Sequence, residues 1–273
     1  MPLSPSETRR LLQSLGHRPR KPLGQNFLVD GNIVRKSLQL ARIEKGDTVI
    51  EVGPGLGTLT QALLEAGAQV YAVELDPALS SYLQQSLHPQ FPDTLHLLEG
   101  DAVRHPRAGI PETATSFKVV ANLPYAITTP WIEALLRNPL PTDLVLMMQR
   151  EAADRLTASP GTKAYSAVSI FLAAACEKAA LHKVSRSCFH PLPGVDSLLL
   201  HLRRKPVPFF FPAPVRERIR SLFTQRRKQI GNLLGDDPDP ALQAWLDSLP
   251  AFGASRISRP ETIPLAAWQN LPA

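Results

Sequence analysis

Cysteine is scarce in this chain, with only Cys176 and Cys188 among 273 residues. Two thiols with no Cys or His partner at metal spacing exclude a disulfide scaffold and an ordinary structural zinc site, so both read as reduced side chains and no metal is expected. Aromatic residues are also few, at 6%, and long apolar runs are absent. No stretch approaches the roughly 18 uncharged apolar residues of a membrane-crossing helix, and the opening segment MPLSPSETRRLLQSLG has no apolar core of the kind a secretory signal carries. The expectation is a cytoplasmic protein with no membrane partner. There is no internal repeat and no low-complexity tract.

What is present is a globular composition, 44% hydrophobic and 20% charged. At a prior of about 150 residues per domain the length suits one large domain and one small one, expected at 1–205 and 206–273. The formal charge is +6 and the pI about 9.5, but the charge is not spread evenly. From Lys183 to Lys228 eleven Lys or Arg face two acids, Asp196 and Glu217, a surplus larger than that of the whole chain. The remainder is slightly acidic, so the positive charge is concentrated as an anion-binding surface requires.

The organising stretch is TVIEVGPGLGTLT, Thr48 to Thr60. A buried strand ending at Glu51-Val52 runs into Gly53, Gly55 and Gly57, and a helix should begin near Thr58. Such a turn brings bare backbone and the positive end of a helix against a ligand. Helix packing alone asks for similar glycines, so a second signal is needed, and Glu74 supplies it. It ends QVYAVEL, 21 residues after Gly53, where a following strand would present a carboxylate to ribose hydroxyls. Thr58 occupies the place of the third glycine of the dinucleotide pattern, which disfavours a pyrophosphate and favours S-adenosylmethionine.

Ahead of this turn, residues 1–21 form a basic arm with a short helical pattern ended by Gly16, and a helix capped by Asp30 follows LGQNFLVD. That helix is either ordinary packing or the upper wall of a nucleoside pocket. After the turn, strands are expected at Gln69–Leu75, Thr94–Glu99, Phe117–Ala121 and Asp143–Gln149, and AALHKVS with DSLLLHLRR should form a hairpin-like edge. The alternation implies right-handed crossovers and a Rossmann-like, doubly wound α/β fold with a mostly parallel sheet of seven strands. Four prolines in KPVPFFFPAP mark a linker, and RERIRSLFTQRRKQIGNLLG reads as a helical stretch with a dense basic face in a small all-α domain.

Three positions carry chemistry. Asp101, in EGDAV after a strand, should stand at the carboxyl edge of the sheet, either accepting from an adenine amino group or capping a turn. Asn122-Leu123-Pro124-Tyr125 follows the strand FKVVA. Pro124 stiffens that turn, so the Asn122 amide and a neighbouring carbonyl are held in place, and Tyr125 supplies a flat face for a base. Acceptors on both N–H bonds of an exocyclic purine amine would favour a more pyramidal, more nucleophilic nitrogen.

EVGPGLG, GDA and NLPY, with KPLGQNFL, FHPLPGVDS and QRRKQIGNLL, together resemble the ribosomal-RNA adenine N6-dimethyltransferase family, from about Lys21 to Gly235. The resemblance implies a class I S-adenosylmethionine-dependent methyltransferase acting as a monomer on small-subunit ribosomal RNA, within the pre-30S particle. Two adjacent adenosines in the 3′-end hairpin of 16S RNA would be dimethylated. It places Asn26 and Leu28 at the methionine end of the donor, Gly53 and Gly55 in the turn beneath it, Glu74 at the ribose, Asp101 at the adenine and Asn122 between donor and target base. Tyr125 and Phe189 would sandwich the flipped adenine, with Pro124 shaping the turn, and Arg226, Arg227 and Lys228 would contact RNA. Gly194 stands where the family commonly has Lys, and Ser166 where Gly is usual. The other readings are a 23S RNA methyltransferase of the macrolide-resistance type and a non-catalytic assembly factor on the same scaffold.

Overall fold

The computed structural model describes residues 3–20, 23–136 and 139–273, apart from the side chain of Tyr125. The chain folds into two compact units. One comprises the described residues up to Ala153 together with Lys178–Arg204, and the other comprises Asp154–Glu177 with Lys205–Ala273.

The first unit opens with helix α1, Pro5–Ser14, started by a Ser4–Glu7 capping box. The two-residue strand β1, Phe27–Leu28, follows. Next comes α2, Gly31–Ala41, whose cap Asp30 accepts from the Asn32 and Ile33 N–H groups as its position in the sequence predicts. Then β2 (Thr48–Val52), α3 (Thr58–Glu65), β3 (Gln69–Glu74), α4 (Pro77–Ser86) and β4 (Leu95–Glu99) alternate. They are followed by β5 (Lys118–Asn122), α5 (Thr128–Leu135) and β6 (Asp143–Gln149). The predicted strands fall within a residue of these spans. The chain then passes into the second unit within the short helix α6, Arg150–Leu156, forms helix α7, Ala167–Ala175, there, and returns to the first unit along the edge strand β7, Cys176–Val184. A second two-residue strand β8, Phe189–His190, and the long β9, Ser197–Arg204, complete the series.

The main sheet has seven strands in the order β4-β3-β2-β5-β6-β9-β7. The first five are parallel and β9 runs antiparallel to β6. Burial explains the composition of its centre: β6, DLVLMMQ, is buried in six of its seven residues, as a strand covered on both faces must be. At the edge, β7 exposes Glu177, Lys178, His182 and Lys183, charges that discourage pairing with another chain. Ile33, Val34, Leu59, Leu63 and Leu83 pack from the helices on Val49, Val70, Val120 and Val145 of the sheet. Each such fully buried side chain contributes on the order of 1.5–3 kcal/mol. The strand order reverses beside β2, with β3 on one side and β5 on the other, and the carboxyl edge at such a reversal is where open α/β sheets bind ligands.

In the second unit α8 (Ala213–Thr224), α9 (Ile230–Leu234), α10 (Pro240–Ser248) and α11 (Leu265–Gln269) surround an aromatic core. Trp268 lies 5.7 Å from Trp245 and 6.1 Å from Phe223, ring to ring. Both indoles are satisfied, Trp245 Nε1 donating to Ala267 O at 2.9 Å and Trp268 Nε1 to Ile263 O at 3.1 Å. The basic stretch expected as one helical face is instead broken between Thr224 and Ile230. Tertiary bonds override the local pattern there: the N–H groups of Ile230 and Gly231 donate to Ser258 O and Arg256 O, both at 2.8 Å. A Cβ at Gly231 would sit 2.8 Å from that Arg256 oxygen, so only glycine allows the approach.

Candidate functional site

A cleft of about 960 Å³, its open mouth included, lies at the carboxyl edge of β2, β3 and β5, a size suited to a nucleoside-sized ligand. Its walls bring together most residues singled out by sequence: Asn26, Leu28, Gly53, Gly55, Glu74, Asp101, Asn122 and Pro124.

The glycine turn forms the floor. Gly53, Gly55 and Gly57 all have positive φ, at 67°, 60° and 79°. A Cβ on Gly55 would stand 3.1 Å from the Phe27 ring, and one on Gly57 2.8 Å from Leu83. The left-handed backbone therefore favours glycine, and a Cβ would in addition press on these side chains. Gly57 is also the cap of α3 and makes no side-chain hydrogen bond, and Thr58 and Leu59 of the first helical turn line the cleft.

Glu74 is 7% exposed. One carboxylate oxygen accepts from Gly55 N–H at 3.0 Å and the other from Asp76 N–H at 2.9 Å. Burial pushes its carboxyl above the usual range, and those N–H bonds oppose the shift. Each oxygen retains a lone pair for a ligand hydroxyl. Asp101 serves two ends at once: its side chain accepts from Val103 N–H at 2.8 Å, capping the turn after β4, and it lines the cleft. The Asn122 amide donates to Asn26 O at 3.0 Å. That bond commits the donor end of the amide and leaves its oxygen as the acceptor.

Sequence reasoning assigned no role to Glu51, although a lone acid in the apolar run TVIEV is itself a signal. It lines the cleft, is 2% exposed and has one oxygen with no hydrogen-bond partner. Burial, with the Glu74 carboxylate nearby as a lesser cause, pushes its pKa up to about 8. A buried carboxyl short of a partner in a cleft suits a cationic or N–H-bearing ligand group.

Other predicted residues lie elsewhere. Phe189 is 3% exposed and packs with Leu28, Ile33, Val184 and Cys188, away from the cleft lining. Its backbone nevertheless reaches the site, because β8 pairs antiparallel with β1, setting Leu28 opposite Phe189 and Phe27 opposite His190. Tyr125 opens the turn after Pro124, and its side chain falls outside the described residues. Arg226, Arg227 and Lys228 are not equivalent. Arg227 and Lys228 are exposed, whereas Arg226 pairs with Glu261 at 2.6 Å and donates to Lys163 O and Tyr165 O. Gly194 has open space around it, and Ser166 caps α7. Among the described residues no group of three or more His, Cys, Asp or Glu could hold a metal, and no helix is long and apolar enough to cross a membrane.

The strand order, the glycine turn at its reversal and the acid at the end of the adjoining strand define a domain of the class I methyltransferase fold. The family model described as ribosomal RNA adenine dimethylase matches residues 16–247, and the chain belongs to that family. It is 57% identical over 272 residues to a protein of Opitutus terrae named ribosomal RNA small subunit methyltransferase A, covering 99% of this chain and 98% of that one. A dimethyladenosine transferase from Plasmodium falciparum superposes with a TM-score of 0.71 at 25% identity, over 89% of this chain and 95% of its own. The 23S rRNA methyltransferase ErmE superposes with a TM-score of 0.64, also at 25% identity, over 90% and 97%.

Proposed function

We infer that this enzyme uses S-adenosylmethionine to dimethylate N6 of two adjacent adenosines in the 3′-end hairpin of small-subunit ribosomal RNA during ribosome biogenesis. The observation that carries the reading is the convergence on one cleft of a bare-backbone turn, the carboxyl groups of Glu74 and Asp101 and the Asn122 amide. Family membership and the name of the Opitutus terrae relative support the substrate.

The cleft fits the donor by its own chemistry. Glu74 would hold the ribose hydroxyls, Asp101 the adenine amine, and Asn26 and Leu28 the methionine end. The unpartnered oxygen of Glu51 would face the α-ammonium of the methionine. When bound, the donor supplies an electrophilic methyl on a sulfonium. At the target adenine, the Asn122 oxygen and a neighbouring backbone carbonyl accept from the two N6–H bonds and aim the nitrogen lone pair. Rate then comes from positioning and polarisation rather than from a general base. A nitrogen that has gained a methyl while keeping both hydrogens is strongly acidic, so its proton leaves to water or a carbonyl. Tyr125 would stack the flipped base. Phe189 would join that stack only if its ring left the packing it now shares with Leu28.

Residues 206–273, with Arg227 and Lys228 at the exposed turn, would contact RNA in the pre-30S particle. The setting is the cytoplasm and the working unit a monomer. The test is to present purified 30S and 50S precursor particles with labelled donor and map the product by mass analysis. Label in N6,N6-dimethyladenosine of the 16S 3′ hairpin is expected. Label in 23S RNA instead would favour the activity named for ErmE, whose fold is also close.

A further inference from the structure

Between the basic arm and β1, Gln25 engages both ends of its side-chain amide. Its oxygen accepts from Arg20 N–H at 2.7 Å and from His17 Nε2 at 3.1 Å, while its nitrogen donates to Asp76 Oδ2 at 2.9 Å. The Arg20 N–H, which can only donate, and the Asp76 carboxylate, which accepts, fix which end of the amide is the oxygen. Asp76 is 1% exposed. Its other oxygen caps α4 by accepting from Ala78 N–H at 3.1 Å, and its own N–H donates to Glu74, which in turn holds Gly55 N–H. A continuous chain of hydrogen bonds thus runs from the arm through Gln25 and Asp76 to Glu74 and the glycine turn.

The other end of the same segment matters equally. Asn26, the next residue, gives its carbonyl to the Asn122 amide at 3.0 Å. Gln25 therefore lies between the acid assigned to the ribose and the segment that orients the amide assigned to the target base. Segment 23–28 lines the cleft along its full length. Beyond the two-residue ladder at Phe27 and Leu28, its backbone is held by bonds from the Leu23 and Gln25 N–H groups to Arg20 O, at 3.1 and 3.5 Å, and the Gln25 side chain adds the tie to Asp76.

We propose that Gln25 is a positioning residue for the methyl donor: tied to Asp76 at the end of β3 and to His17 and Arg20 of the arm, it fixes segment 24–28 over the cleft at a set distance from Glu74. The proposal rests on the donor-site reading above and adds to it a residue that need not touch the donor. Because the arm hangs on the same amide, movement of the arm would be felt in the donor cleft.

A polarity swap tests it. Asp76→Asn keeps an oxygen to cap α4 but turns an N–H toward the Gln25 N–H. Gln25→Glu sets a carboxylate against the Asp76 carboxylate. Each single variant opposes like with like, whereas Gln25→Glu with Asp76→Asn restores one donor to one acceptor, and the new carboxylate still accepts from Arg20 and His17. Calorimetry with S-adenosylhomocysteine should show each single variant weakened about tenfold, as for one hydrogen bond to a charged group, and the double variant recovering most of that loss. The KM for S-adenosylmethionine should rise more than kcat falls. If a single variant does not fold, Gln25→Ala is read the same way. Singles that lose thermal stability but bind as the wild type does would overturn the proposal, and so would a double variant as weak as the singles. Wild-type protein that failed to bind S-adenosylhomocysteine would overturn both this proposal and the donor-site reading.

Discussion

Asp143 at the amino end of the sheet and the glutamates Glu51 and Glu74 at its carboxyl end are buried carboxyl groups treated in opposite ways, while Asp76, just beyond Glu74, has His17 at 3.8 Å and Arg20 at 4.0 Å. At the amino end, Asp143 at the start of β6 is 4% exposed. It is met by His201 Nε2 at 2.8 Å, with Arg42 at 3.6 Å and Arg203 at 3.9 Å. Asp47 beside it holds Lys118 at 2.7 Å. At the carboxyl end, neither Glu51 nor Glu74 has an ion-pair partner among the described residues. Glu74 is held by two backbone N–H groups, and Glu51 keeps an oxygen with none. Asp143, Glu51 and Glu74 are all buried, and what differs is the source of compensation. Where the chain supplies a cation, the charge is part of the foundation. Where it withholds one, the carboxyl keeps hydrogen-bonding capacity for a ligand.

That contrast is broken most severely at the foundation. Asp143→Ala should cost about 1–3 kcal/mol, because it leaves the buried His201 ring nitrogen without its partner, while Arg42 and Arg203 reach solvent. Urea unfolding measures it, and a loss below about 1 kcal/mol would mean that the cluster is solvated. Next is Asn122→Ala, expected to slow single-turnover methyl transfer by on the order of 10²-fold while leaving the melting temperature nearly unchanged. An equal fall in stability would move Asn122 to the structural side of the comparison. Glu74→Ala should weaken donor binding in calorimetry by roughly 1–3 kcal/mol. Unaltered affinity would remove the acid from the site.

Glu51 sharpens the contrast through pH. Its folded pKa of about 8 lies above the ordinary value of 4.5, so between those values the unfolded chain ionises while the folded one keeps its proton. Its contribution to stability is therefore complete below the unfolded value, falls as pH rises through that window and levels off above it. Glu51→Gln should flatten the fall in unfolding free energy, and a variant with the wild-type slope would contradict the assignment. The smallest effect is expected outside the sheet. Arg227→Ala with Lys228→Ala should reduce the salt slope of RNA binding by about 0.7–0.9 for each phosphate no longer neutralised. Arg226→Ala, by contrast, should act mainly on stability, through the broken Glu261 pair.

The parallel strands, the glycine turn and the cleft positions of Glu74, Asp101 and Asn122 were legible because their signals are local: an apolar run, a turn chemistry and a fixed offset of an acid. The two-residue strands were not. Phe27-Leu28 and Phe189-His190 are too short to show a period, and they pair across most of the chain. The break between Thr224 and Ile230 was hidden for a related reason, since the carbonyls of Arg256 and Ser258 that cause it carry no local mark. Nor could charge counting tell Arg226, neutralised by Glu261, from its exposed neighbours.

The short ladder between β1 and β8 also bears on the order of events as the chain leaves the ribosome. Val29 N–H donates to Cys188 O at 2.8 Å, and Leu28 lies opposite Phe189. The glycine turn, Glu74, Asp101 and Asn122 all come from the first 122 residues, but the segment that covers them finds its strand partner only after Phe189 and His190 have emerged. A nascent chain shorter than that carries a floor without its cover. Amide exchange at Val29 would report the moment of closure, and slow exchange there in a chain ending before Cys188 would show that the cover forms without its partner strand.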